Sequence, residues 1–343
     1  MPIKNQQLFE RTKLMERISN LSASFPLFDD LALDVFNYQY KYNAFYKQFC
    51  DLIHKKNQPF EHILQIPFLP ITFFKSKIIK TGDWQTETLF VSSGTTGVVT
   101  STHHVNNTEW YNAITKKGIE SFYGSLKKYC ILGLLPAYLE RPGSSLVHMV
   151  DYFIAQSGHP NSGFYLYNLE DLKIILEENA LTNTPTILFG VTFALLDFVE
   201  KYRLQLPELI IIETGGMKGR RQEIIRAQLH KSLRNGFGTQ NIHSEYGMTE
   251  LLSQAYLTND NTFEPIASMK VLSRDVTDPF KIFNPITFKN KTPTGTLNVI
   301  DLANIDTCSF VATDDLGKVY ANGSFEVLGR MDNSDVRGCA LLA

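Results

Sequence analysis

The chain has 343 residues, 43% of them hydrophobic and 20% charged, with a formal net charge of -2. That suits one large α/β domain with a small appendage, or two modest domains. The near-neutral charge gives no reason to expect nucleic acid as a partner. The start, MPIKNQQLFERTKLMERISN, lacks an apolar leader core, and stretches such as Tyr129 to Leu139 are too short to cross a bilayer. No membrane span is expected. Cys50, Cys130, Cys308 and Cys339 are scattered without C-x-x-C pairing, so the expected setting is reducing and cytoplasmic.

The first third reads as helical. From Asp34 to Ile53 apolar residues recur at spacings of three and four: Val35, Tyr38, Tyr42, Phe45, Phe49 and Leu52. In IPFLPITFFK, Pro67 and Pro70 remove donors and fix φ, which predicts an extended surface run. Short apolar runs then alternate with amphipathic segments. Strands are predicted over Thr88–Val91, Cys130–Leu135, Thr186–Val191, Leu209–Glu213 and Asn241–Ser244. Helices are predicted over Thr108–Tyr123, Ser144–Ser157, Leu169–Asn179, Thr192–Arg203 and Arg220–Leu233. Such alternation argues for a largely parallel sheet covered by helices. Near the end, GTLNVIDL, GKVYA and GSFEVLGR read as short strands joined by Gly-containing turns. They predict a small antiparallel or barrel-like subdomain.

Three segments carry chemistry. In FVSSGTTGV an apolar strand runs into Ser92, Ser93, Gly94, Thr95, Thr96 and Gly97. Small residues let backbone wrap an anion while hydroxyls and amides donate to it, and no Walker Gly-Lys-Ser/Thr follows. In SEYGMTEL, Tyr246 beside Gly247 can lay its ring on a flat base, and Glu245 can accept from an exocyclic amine. Thr249 offers a hydroxyl to a phosphate, and Glu250 offers a hard oxygen ligand to Mg²⁺. In TDDLGKVYANGSFEVLGRMDNSDVRG, Asp315 at a turn can accept both hydroxyls of a ribose, and Arg330 can bridge ribose and phosphate oxygens. Alone, each segment reads more simply as a turn; the ordered set does not.

Together these segments resemble the adenylate-forming superfamily of acyl- and aryl-CoA synthetases, peptide-synthetase adenylation domains and luciferases. SSGTTG looks like its phosphate loop, YGMTE like its Y-G-x-T-E motif, TDDLG like T-G-D-L-G, and GRMDNSDVRG like its hinge. Gly215 and Gly216 fit its nucleotide-pocket glycines. There are two departures. VVTSTHH follows the loop without the usual Pro-Lys, and the chain stops just past the hinge, so the mobile C-terminal domain and its lysine are expected to be absent. A chain of this layout resembles the acyl-protein synthetase (LuxE-type) family, as do PFLPITFFK and PGSSLVHM. That family holds its acyl group as a thioester on a cysteine near the C-terminus, and the matching position is Cys339.

The resemblance implies an α/β fold of the large N-terminal adenylating type. Its expected parts are a helical region 1–85, an adenylating core 86–258, and a small β subdomain 259–343. It implies ATP and Mg²⁺, a carboxylic acid substrate of the fatty-acid class, and an acyl-adenylate passed to Cys339 and on to a partner such as an acyl reductase. Two alternatives stand: a ligase charging coenzyme A or a carrier protein, and a non-catalytic nucleotide-binding scaffold. His103 and His104 read as phosphate contacts or solvated loop histidines, and His148 as a satisfied core histidine.

Overall fold

The computed structural model describes residues 3–22, 26–53, 60–92, 100–136, 143–166, 168–215, 224–259, 262–288 and 292–331. Three helices come first, α1 (Ile3–Ser19), α2 (Pro26–Tyr42) and α3 (Ala44–Ile53), followed by the two-residue strand β1 (Leu69–Pro70). The stretch from Asp34 to Ile53 is helical as expected, but in two helices separated at Asn43. Its side-chain carbonyl accepts from Tyr46 N at 2.9 Å, starting a new helix, while its amide donates to Thr307 O at 2.9 Å. The restart turns the apolar stripe: Tyr46 and Cys50 are buried and Leu52 is 79% exposed.

The IPFLPITFFK segment does not run over the surface. Ile66, Phe68, Leu69, Ile71 and Phe74 are all buried. Apolar content outweighs the missing proline donors because β1 lies at a sheet edge, where Pro70 interrupts no ladder. The Phe310 ring lies within about 6 Å of Phe36, Tyr46 and Phe68, and so joins the first helices, this segment and the far end of the chain.

A hairpin of β2 (Thr88–Val91) and β3 (Thr102–Val105) leads into α4 (Thr108–Tyr123), capped by Asn107. Then β4 (Cys130–Leu134), α5 (Ser145–Ser157), β5 (Gly163–Phe164), α6 (Leu169–Leu181), β6 (Thr186–Val191), α7 (Thr192–Lys201), β7 (Ile210–Thr214), α8 (Arg226–Phe237), β8 (Ile242–Tyr246), β9 (Ala255–Leu257) and β10 (Glu264–Pro265) follow. These strands form a seven-stranded sheet in the order β10-β9-β8-β7-β6-β4-β5. The run from β8 to β5 is parallel, and β9 and β10 are antiparallel. Every residue of β4 and β6 is buried, because helices cover both faces of a parallel sheet; this is why these strands read as unbroken apolar runs. The rings of Phe198 on α7 and Phe237 on α8 stack at 5.2 Å.

The last third forms a second sheet from β11 (Met269–Arg274), β12 (Ile282–Phe283), β13 (Gly295–Asp301), β14 (Phe310–Val319) and β15 (Phe325–Arg330). β14 is its spine, pairing with β13, with β15 and, in parallel, with β1 from the N-terminal region. Asp315 therefore lies inside a ten-residue strand rather than at the expected turn. Phe263 and Phe325 exchange backbone hydrogen bonds of 2.7 and 3.0 Å and tie the two sheets together. No helix of the described residues is long and apolar enough to cross a membrane.

Candidate nucleotide and acid site

The carboxyl ends of parallel strands are where α/β sheets bind ligands, because the strand-end loops and helix starts converge there. Glu213 and Thr214 close β7, and Gly215 follows with φ +77, a backbone turn that side chains resist. Glu245 and Tyr246 close β8. Thr214 donates its hydroxyl to Glu245 at 2.5 Å. A Cβ on Gly247 would come within 2.4 Å of a Glu245 carboxylate oxygen, so only glycine leaves that group its place. Burial pushes the Glu245 carboxyl up to about 7, against the Thr214 hydrogen bond and with added repulsion from Glu213.

Tyr246 packs edge-on against Phe325 with ring centroids 5.3 Å apart, and its hydroxyl donates to Asp315 at 2.8 Å. Arg330 stands opposite Asp315 in the β14–β15 register, with Nε 3.9 Å from the carboxylate. Burial raises the Asp315 carboxyl; the Tyr246 hydroxyl and Arg330 oppose that rise, and Asp314 adds to it. The Arg330 side chain is 67% exposed, so its guanidinium faces solvent.

The turn after Tyr246 follows no sheet ladder, and buried side chains satisfy its backbone instead. His103 donates from Nδ1 to Thr249 O at 2.8 Å, and Asn304 donates to Glu250 O at 2.8 Å. Asp301 accepts from Leu252 N at 2.7 Å, Ser253 N at 3.0 Å and Ser253 Oγ at 2.6 Å. Hydrogen bonds to a buried charge are the strong kind, about 1.5–3 kcal/mol each. His103 lies on β3 with its ring buried, and burial lowers it to about 4, so it stays neutral and its Nε2 accepts from Thr307 Oγ1 at 3.1 Å. It is neither a phosphate contact nor a solvated loop residue. His104, partly buried, meets Thr86 Oγ1 at 2.9 Å. His148 donates to Asn112 at 2.9 Å, as a satisfied core histidine does.

Glu250 is 6% exposed. Burial raises its carboxyl, opposed by the Ser101 side chain and the charges of Arg330 and Lys75. Ser101 also closes the base of the loop 93–99: Ser92 N donates to Ser101 O at 3.0 Å, and Ser101 N donates to Ser92 Oγ at 2.8 Å. Ser92 is thus tied to Ser101 and through it to Glu250, Tyr246 to Asp315 and Arg330, and Thr214 to Glu245, with Gly215 and Gly247 next in sequence to these groups; the strand-end region they share is the candidate cleft. Ser93, Gly94, Thr95, Thr96, Gly97, Gly216 and Cys339 lie outside the described residues. Among the described residues no group of three or more His, Cys, Asp or Glu side chains could hold a metal ion. A lone buried carboxylate fits Mg²⁺, which is held by one or two carboxylates and otherwise by water and substrate phosphates.

Ser101, Asp301, Asn304, Glu213 and Thr214 were missed in the sequence. A usable signal existed for Glu213: an acid closing an apolar strand, just before two glycines. A separate cavity of about 860 Å³ lies between the end of α1, α4 and the β10–β11 region, lined by Leu21, Phe28, Ile114, Phe122 and Ile266 among others. It includes none of the cleft residues.

Residues 17–133 match the family described as acyl-protein synthetase, LuxE. The LuxE match covers the ITFFK segment and the phosphate-loop hairpin, and it ends before Tyr246, Glu250, Asp315 and Arg330. No curated protein matches the chain. Among solved structures, it is similar to an ATP-bound RpMatB-BxBclM chimera, with TM-score 0.53 and 15% identity over 71% of this chain and 47% of that one. It is also similar to O-succinylbenzoate coenzyme A synthetase from Bacillus subtilis in complex with AMP, with TM-score 0.51 and 17% identity over 73% and 50% of the two chains. ATP-bound MatB from Rhodopseudomonas palustris matches with TM-score 0.50 and 15% identity over 71% and 47%. The fold is that of the N-terminal domain of adenylate-forming enzymes. The chain spans about half the length of these structures.

Proposed function

We propose that the protein activates a carboxylic acid with ATP and passes the acyl group to a thiol. The observation that carries this reading is the cleft itself. A phosphate-loop base, the buried Glu250 carboxylate beside Ser101 and a Tyr246–Asp315–Arg330 cluster lie at the carboxyl ends of β7 and β8. In the first step a substrate carboxylate oxygen attacks the α-phosphorus of ATP. The bond from that phosphorus to the bridging oxygen breaks, and pyrophosphate leaves with the electron pair. Ser92 and the Ser93–Gly97 segment hold the β and γ phosphates, and Thr249 adds a hydroxyl. Tyr246 and Gly247 flank the adenine, whose exocyclic amine donates to Glu245, and Gly215 and Gly216 border it. Asp315 and Arg330 take the ribose and the nearby phosphate. Glu250 would hold Mg²⁺, which would offset charge on the phosphate oxygens.

In the second step a thiolate attacks the acyl carbonyl and AMP leaves. Cys339 is the proposed acceptor, ahead of a partner such as an acyl reductase. Its support is the family resemblance and the poor standing of the other thiols. Cys50, Cys130 and Cys308 are buried, and burial raises all three, Cys50 to about 12. The deciding measurement is Mg²⁺-dependent ATP–pyrophosphate exchange across a panel of fatty and aromatic acids. Stimulation by one of them is expected; ATP binding without any stimulated exchange would move the assignment to a nucleotide-binding scaffold. Cys339→Ser is expected to keep exchange and lose the hydroxylamine-labile acyl adduct seen by peptide mapping. An adduct that survives moves the acceptor elsewhere, and free acyl-CoA formation without any adduct favours a coenzyme A ligase.

A further inference from the structure

The first step brings together two anions, a carboxylate and a triphosphate, beside Glu250, Asp314 and Asp315. Their repulsion must be met by positive charge at the cleft. Arg330 already faces Asp315. A second cation whose charge favours the ionised Glu250 is Lys75.

The position of Lys75 is built rather than incidental. It ends the 3-10 helix Ile71–Lys75, which follows directly on β1. The pairing of Leu69 with Val311 and Pro70 with Ala312 anchors the start of that helix to β14, three residues before Asp315. Phe74 anchors its other end. Phe74 is buried edge-on against the His103 ring at 5.8 Å, and its carbonyl accepts from Thr102 Oγ1 at 3.4 Å. Thr102 and His103 follow Ser101, which closes the phosphate loop, and His103 holds the Thr249 carbonyl. Lys75 is therefore fixed at the rim where the loop base, the Thr249–Glu250 turn and β14 meet. Its side chain is exposed, and among the described residues no carboxylate lies within ion-pair distance of it. Lys77, two residues on, is exposed as well and lies beyond the end of the 3-10 helix, so it serves as a matched surface control.

We infer that Lys75 is a catalytic residue of the adenylation step, its ammonium meeting the oxyanions where the substrate carboxylate joins the α-phosphate. The inference rests on the adenylation reading above. The acyl–phosphate bond forms, the bond to pyrophosphate breaks, and the ammonium offsets charge without transferring anything. The cleft would in this way draw a lysine from the segment that precedes the phosphate loop.

The test is ATP–pyrophosphate exchange by the full chain with octanoate, myristate and benzoate, for Lys75→Gln, Lys75→Arg and Lys77→Gln beside the parent. Removing one preorganised charge-stabilising donor costs about a hundred- to a thousand-fold in rate, and Lys75→Gln is expected to lose that much in kcat with an unchanged thermal midpoint. Lys75→Arg is expected to recover most of the rate, and Lys77→Gln to match the parent. A loss confined to KM for ATP would put the ammonium on the outer phosphates, and one confined to KM for the acid would put it on the ground-state carboxylate; either overturns the assignment to the reacting centre. Lys75→Gln within about three-fold of an active parent, well under the loss just cited, or an equal loss in Lys77→Gln, overturns the inference alone. A parent that binds ATP yet exchanges with no acid overturns the adenylation reading and this inference with it.

Discussion

Two buried glutamates stand within one fold and meet opposite fates. Glu213, 7% exposed at the end of β7, accepts from Ser244 Oγ at 2.6 Å and Thr192 Oγ1 at 3.1 Å. His230 donates to that same serine at 3.0 Å. Burial raises its carboxyl, but His230, Ser244 and Arg226 outweigh burial, and the net effect is to lower it. Glu250 is buried as deeply, yet its carboxyl is raised, because Ser101, its own backbone and the charges of Arg330 and Lys75 do not make up for lost water. A satisfied buried carboxylate braces the sheet. An underpaired one is held at a cost that a bound cation can offset.

Substitutions at the two sites test this contrast most directly. Glu250→Gln keeps the shape and removes the charge; it is expected to lower acid-dependent exchange by about a hundred- to a thousand-fold, with unchanged or slightly raised stability. Near-parent exchange by the folded variant would reject the role given to Glu250. Glu213→Leu does the reverse. It strands the Ser244 and Thr192 donors and should cost about 2–3 kcal/mol by chemical denaturation, while folded molecules keep most of their exchange. Equal losses of activity at both positions would erase the distinction.

Glu245 sharpens the comparison through pH. Its carboxyl is raised from 4.5 to about 7, so the folded state holds that proton more tightly than the unfolded chain does. The stabilisation is fully present below about pH 4.5 and is lost as pH rises through about 7. Glu213, being lowered, works the other way: its contribution is present above the usual carboxylate range and is lost as pH falls. Glu245→Gln is expected to flatten the decline in stability between those two values. An unchanged pH profile would show that the Glu245 carboxyl is not buried as described. The smallest effect is expected at the buried thiols. Cys50→Ser, Cys130→Ser and Cys308→Ser should keep acylation, with some loss of stability at Cys130, and the native protein should leave all three unlabelled by a thiol reagent. Rapid labelling of any of them would contradict their burial.

Much of the fold was legible because its signals are local. Strands buried on both faces leave unbroken apolar runs, so β4, β6 and β7 appear in the sequence within a residue or so of their true ends, and α4 was legible at both ends. Phosphate-loop, Y-G-x-T-E and ribose segments are short and ordered, so the residues of the cleft could be named. Which of them are paired could not be read. Asn43 meets Thr307, Asp301 meets Ser253, and His103 meets Thr249, and no periodicity records contacts between residues so far apart.

The sequence by itself determined the helix–strand alternation and singled out the candidate nucleotide-site side chains, because propensity and motif spacing act over a few residues. Tertiary structure alone decided that Leu69, Ile71 and Phe74 are buried where β1 pairs at a sheet edge, that Asp315 sits in a strand against Arg330, and that the Glu213 carboxyl is lowered while that of Glu250 is raised. The reason is that desolvation and hydrogen bonding depend on what surrounds a group. For these residues the surroundings come from other elements of the fold: Thr192, His230 and Ser244 around Glu213, Tyr246 and Arg330 around Asp315, and β14 beside β1.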